Sequence, residues 1–150
     1  MTLPDIRTLV PHKGRMMLLD RLMSVDAENL CAAVTIRSDS LFCGEEGVGS
    51  WVGIEYMAQA IAAHAGYKSK LRGEPVKVGF LLGARRYDAA IPVFTIGSEL
   101  RIVVSSLLMA DNGLGSFACR VEDASGIVAT ATINVFQPEN VQEVIKGAKE

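Results

Sequence analysis

The chain has 150 residues, 49% of them hydrophobic, 21% charged and 6% aromatic, with a net charge of −2 at pH 7. That length suits one domain with a sizeable core, and the scattered, outnumbered Lys and Arg exclude a polyanion-binding face. Cys31, Cys43 and Cys119 stand far apart without a CxxC pair, which excludes a metal or disulfide framework and suits a reduced, cytoplasmic protein.

Residues 4–10 start at Pro4 and stop before Pro11, the pattern of a short helix, and no basic-then-apolar stretch marks a signal peptide. From Arg15 to Val25 the apolar run reads as a largely buried strand. Leu30–Ile36 reads as a second strand, and Asp26 to Asn29 supply the turn between them. The stretch Arg37–Ser50 is polar and carries Gly44, Gly47 and Gly49, so a long loop with a functional role is expected there.

Ser50 is the expected cap of a helix running from Trp51 to about Leu71, ahead of Gly73 and Pro75. Val52, Ile54, Met57, Ala58, Ile61 and Ala65 occupy nearly every angle around its axis, the mark of a helix buried on all sides. Gly53, Glu55, Gln59 and His64 interrupt that apolar run and exclude a membrane span. Strands follow at Val76–Tyr87, Glu99–Ala110, Leu114–Val121 and Ile127–Phe136, joined by the hairpin signals Asp111-Asn112-Gly113 and Asp123-Ala124-Ser125-Gly126. Gln137–Glu150 reads as a tail, helical on the surface or frayed. A single domain over residues 1–150 is expected, with its core at about 3–136. One long helix with about six antiparallel strands gives an α+β fold, a sheet wrapped around a helix.

Glu55 is the residue that needs a reason. A carboxylate in an apolar helix is costly unless it is partnered or working, and its place near the N-terminus offsets part of that cost. Gln59 follows at i+4 on the same face. A desolvated carboxyl suits general acid or base work, while the bland alternative is a Glu that bonds the helix's own first turn. His64 lies nine residues on, which at about 100° per residue puts it on the opposite face, where a locally satisfied histidine is expected. His12, in Pro-His-Lys-Gly, reads as a hydrogen-bonding anchor of that turn. Two histidines so far apart hold no metal. Cys43 lacks a neighbouring base. Met16, Met17 and Met57 read as core filler that would also suit an acyl tunnel. Arg85 and Arg86 follow Gly83 in a strand, and one of them points outward, toward solvent or toward a phosphate or acidic carrier. Nucleophile-elbow, Walker and dinucleotide signatures are absent from the sequence.

Three stretches carry a resemblance. They are Val10-Pro11-His12-Lys13-Gly14 with Met17-Leu18-Leu19-Asp20-Arg21, then Gly53-Ile54-Glu55-Tyr56-Met57-Ala58-Gln59, then Gly83-Ala84-Arg85-Arg86-Tyr87 leading through Pro92-Val93 to Gly97-Ser98-Glu99-Leu100. In that order, over roughly Leu3 to Phe136, the chain resembles the hotdog-fold 3-hydroxyacyl-acyl-carrier-protein dehydratases, and most closely a branch linked in part to aryl polyene synthesis.

The resemblance implies a cytoplasmic, dimeric lyase of fatty-acid or polyene biosynthesis that needs no cofactor or metal. Its substrate would be an acyl thioester on acyl carrier protein or coenzyme A, its partner a second copy or a related hotdog subunit, with no role for nucleic acid or membrane. Glu55 falls on the family's catalytic carboxyl and Gln59 on its companion glutamine. Gly49, Ser50 and Trp51 at the helix start, with Gly83 and Arg85, are the further candidate substrate contacts. In the family, a His from one subunit and a Glu from the other remove water from the substrate. That His opens a His-Phe-Pro-Gly loop, which would fall within Leu41–Gly49. Here those residues read Leu-Phe-Cys-Gly-Glu-Glu-Gly-Val-Gly, and His12 matches a different, non-catalytic position. Glu55 then works with another group such as Glu45 or Glu46, or the chain has lost dehydration and supports a partner that supplies the His. A thioesterase using the one helix carboxylate and water is the remaining alternative.

Overall fold

Asp26 organises the first hairpin. Its carboxylate accepts the backbone N–H groups of Glu28 and Asn29, closing the turn between β1 (Arg21–Val25) and β2 (Asn29–Thr35). The computed structural model describes residues 3–12, 14–75 and 80–136. After β2 come a short strand β3 (Gly47–Gly49), the helix α1 (Gly53–Leu71) and then β4 (Phe80–Ala89), β5 (Val93–Thr95), β6 (Glu99–Met109), β7 (Leu114–Asp123) and β8 (Gly126–Phe136). Six of the strands form one antiparallel sheet in the order β1-β2-β6-β7-β8-β4, and β3 pairs with β5 in a small second sheet. The two expected hairpin turns join β6 to β7 and β7 to β8.

Strand alternation decides which face meets α1. Val34, Ala32 and Leu30 of β2 stand opposite Leu100, Ile102 and Val104 of β6, and these last two are matched to Val121 and Cys119 of β7. All are buried against the helix, where Met57, Ala60 and Ile61 answer them. Burial of each large aliphatic side chain contributes about 1.5–3 kcal/mol, so this face is the main apolar stabiliser of the domain. The sheet wrapped around a single helix is the hotdog fold that the resemblance implied.

Several boundaries differ from expectation for physical reasons. The sheet covers only part of α1: Ile54, Ala58, Ala62 and Ala65 form a half-exposed stripe, so the helix is not enclosed on all sides within one chain. A 3-10 turn at Ser50–Val52 precedes α1, and no side chain caps either segment, so Ser50 is not the capping residue. The first strand begins at Arg21 and not at Arg15, because Met16 and Leu18 give their backbone groups to the Gln59 side chain instead of to a neighbouring strand. The expected loop at 37–50 is present over residues 37–46, and β3 occupies its end at Gly47–Gly49. The expected helix at residues 4–10 is a 3-10 turn at Ile6–Thr8, capped by the Asp5 carboxylate. Ile6, Leu9 and Val10 anchor it, and Gly66 is required there, since a Cβ on α1 would overlap the Leu9 carbonyl. The start of the expected strand at 76–79 and the tail at 137–150 lie outside the described residues.

Candidate functional site

The first turns of α1 gather the polar groups. Gln59 is fully buried, and its amide is used at both ends: Oε1 accepts from Leu18 N–H at 2.9 Å, and Nε2 donates to the Met16 carbonyl at 2.7 Å. The same Nε2 reaches Glu55 Oε1 at 3.3 Å. The i+4 spacing thus places Glu55 against an amide whose own orientation is fixed by two backbone bonds. Glu55 itself is open rather than buried, its side chain 42% exposed. The expected desolvation of this carboxyl is therefore absent within one chain.

Across from Glu55 sits His12, whose Nε2 lies 3.9 Å from Glu55 Oε1. The chain leaves the 3-10 turn at Ile6–Thr8, passes Val10 and Pro11, and turns again at Gly14, whose φ of 60° is the left-handed region that glycine tolerates. That path carries His12 to the helix. Its Nδ1 is sealed from solvent and has no hydrogen-bond partner among the described residues. No spacing rule revealed this pairing, since 43 positions of sequence separate the two groups and only the fold closes the gap. Glu45 and Glu46, the substitutes expected from the sequence, are exposed and make no ion pair or hydrogen bond with Glu55 among the described residues.

His64 takes the structural role expected of it. It is buried, its Nε2 lies 3.1 Å from the Asp26 carbonyl, and its ring stands edge-on to Phe117. Burial holds its pKa below the ordinary value, with Lys68 adding to the effect and the backbone of Asp26 and Ala27 opposing it.

The remaining candidates divide into two places. Gly49, Ser50 and Trp51 lie at the start of the helix, as their sequence position requires. Trp51 is four residues before Glu55, 66% exposed, and in tilted contact with Phe42 at 5.5 Å. This aromatic pair was not anticipated, because Phe42 reaches Trp51 only through the left-handed backbone at φ 69°. Gly83 and Arg85 lie on β4. Arg85 is matched to Thr132 and faces a shallow groove of about 450 Å³ with Ser105, Ala118, Arg120 and Thr130, on the face of the sheet away from α1. The chain does not bring Arg85 together with Glu55. Met16 is exposed and Met57 is in the core, whereas Met17 lines a cleft of about 260 Å³ with Leu18, Arg15, Arg37 and Tyr56. That cleft lies along the segment that Gln59 holds. Among the described residues no group of three or more His, Cys, Asp or Glu side chains could hold a metal ion, and no helix is long and apolar enough to cross a membrane.

Comparison with known proteins gives this geometry a setting. The model of a family described as ApeP-like, ApeP dehydratase, matches residues 4–146. Among solved structures, the dehydratase heterocomplex ApeI:P from Xenorhabdus doucetiae superposes with a TM-score of 0.90 at 30% identity, covering 99% of this chain and 100% of that one. A hypothetical thioesterase with coenzyme A from Streptococcus pneumoniae TIGR4 matches at TM-score 0.60 and 9% identity, over 78% of this chain and 84% of that one. The E. coli PaaI protein from the phenylacetic acid degradation operon matches at 0.58 and 13%, over 77% and 80%. These last two are alike in fold alone. No curated protein matches the sequence.

Proposed function

From the chain's membership of the ApeP-like dehydratase family, and its dehydratase-like function, we propose that it removes water from a 3-hydroxyacyl thioester, with Glu55 as the carboxyl that handles the proton. The observation that carries this reading is the Gln59 clamp, which holds one oxygen of an accessible carboxylate at the start of a buried helix. A thioester makes the proton on C2 acidic enough for a carboxylate to take, and the C3 hydroxyl then leaves as water. The positive end of the helix dipole, at the first turn of α1, suits the thioester carbonyl, where charge develops. The carrier is acyl carrier protein or coenzyme A, the protein is cytoplasmic, and it uses no cofactor.

A second hotdog subunit covers the open stripe of Ile54, Ala58, Ala62 and Ala65. Two observations favour a related subunit over a second copy: residues 41–49 lack a histidine, and the relative from Xenorhabdus doucetiae is a heterocomplex. Hydration of an enoyl thioester, followed by loss of the alkene absorbance with free thiol monitored in parallel, tests the reading. Water addition that drops by about 100-fold or more in Glu55→Gln is the expected result. Release of thiol would make the chain a thioesterase, and turnover only with a companion subunit would make it a supporting partner.

A further inference from the structure

On β7, Gly115 and Phe117 are buried toward α1, so Ser116 between them points to the other face of the sheet. Residues directly opposite each other in an antiparallel pair share a face. Leu108 stands opposite Ser116, and Phe136 stands opposite Leu114, which is two residues from Ser116. Leu108, Leu114 and Phe136 therefore share the face away from α1, at the end of the sheet where the β6–β7 hairpin turns. Leu108 and Leu114 are exposed, and Phe136 is half-buried. Their neighbours on that face, Ser116 and Asn134, are polar, so the three form an apolar corner on a polar surface.

β8 delivers the chain to this corner, because it ends at Phe136 itself. The next residues, Gln137-Pro138-Glu139-Asn140, carry the Pro and Asn of a turn. The start and stop signals of a short helix follow: Asn140 as N-cap with Glu143 three residues on, then Lys146 in the last turn and Gly147 after it. Between them Val141, Val144 and Ile145 fall at i, i+3 and i+4, on one helical side. Two turns of helix are marginal alone in water and need an apolar surface to rest on. The reach is sufficient. Strand spacing and two residues of stagger put Leu108 about 12 Å from Phe136, and four extended residues span about 13 Å.

We propose that residues 141–146 fold back over Leu108, Leu114 and Phe136, so that Val141, Val144 and Ile145 cover the outer apolar corner of the sheet. The occupant is this chain's own segment and not a second copy, because β8 tethers it beside the corner at an effective concentration that a free partner does not reach. The contact lies on the face away from α1 and leaves the stripe of Ile54, Ala58, Ala62 and Ala65 open. It is therefore independent of the dehydration reading and of the subunit that covers that stripe. Its effect is to close an apolar patch through which the outer faces of two sheets would otherwise associate.

Methyl NMR on the full chain tests the assignment. Cross-peaks between Ile145 and Leu108 or Leu114 that survive about tenfold dilution are the expected result. In a mixture of isotope-labelled and unlabelled protein they should stay within the labelled chains. The double variant Val144→Asp with Ile145→Asp should lose them and melt about 4 °C or more below wild type, while Val144→Ile keeps both properties. Absence of the cross-peaks in wild type, or a double variant that melts with wild type, would overturn the proposal. Cross-peaks found only between labelled and unlabelled chains would give the corner to a second copy and overturn it as well. The wild-type spectrum decides the matter even if the double variant does not fold.

Discussion

The Tyr87 hydroxyl donates to the main-chain carbonyl of Ser50, tying the edge strand β4 to the turn that opens α1. A bulge makes this possible. Between Arg85 and Asp88 the pairing with β8 slips, leaving two residues opposite Ala131, and Arg86 takes the extra step at φ 55°, a left-handed backbone that a side chain rarely adopts. Tyr87 is thereby turned toward the helix. Burial pushes its phenol up to about 12, so it remains a donor throughout the neutral range. Gly53 completes the arrangement, because a Cβ there would overlap the Tyr87 hydroxyl and lie 3.1 Å from its ring carbon.

A double-mutant cycle follows from that contact. Tyr87→Phe should cost about 1 kcal/mol, the net worth of one hydrogen bond. Gly53→Ala should cost more, since its methyl meets the hydroxyl and also Phe94. Combined, the two should cost less than their sum, because Phe removes the atom that Ala strikes. Strict additivity in urea unfolding would show that the Tyr87–Gly53 contact does not govern the turn.

Gln59→Leu keeps the volume and removes the clamp. The Leu18 N–H and the Met16 carbonyl would each lose a partner, at about 1–3 kcal/mol per group, so a total loss of about 2–6 kcal/mol is expected. Turnover should fall as well, since Glu55 Oε1 loses its amide. A variant as stable as wild type by thermal or urea unfolding would mean that both backbone groups find other partners.

His64 makes stability depend on pH. In the folded chain its pKa lies below the ordinary 6.5, first because it is buried, so the unfolded chain binds a proton more readily. Stability should therefore be fully present above the unfolded value, and should fall as the pH drops through 6.5 toward the lower folded value. Urea unfolding between about pH 5 and 8 should show that slope in wild type and a flatter one in His64→Gln. An unchanged slope in the variant would assign the dependence to other groups.

Much of the fold was legible in local chemistry. Asp26–Asn29, Asp111–Gly113 and Asp123–Gly126 name their turns because Asp, Asn and Gly solve backbone problems within three or four residues, and each joins the strands expected. Residues 15–20 misled for the opposite reason. Their apolar run reads as strand, yet Leu18 N–H and the Met16 carbonyl are partnered by a side chain more than 40 residues away, which periodicity does not register. The short pair β3–β5 was missed because three residues carry too little pattern.

The order of residues alone fixed the apolar helix, the antiparallel strands and the placing of Glu55 and Gln59 on one helical face, because each rests on a period of 3.6 or 2 between near neighbours. What surrounds that carboxyl depended on the folded chain. His12 reaches it because Leu9 and Val10 bury against α1 and Gly66 lets them approach. Arg85 faces the far side of the sheet because its register with Thr132 puts it there. Such encounters depend on burial and register summed over the whole domain, and no local stretch of sequence contains that sum.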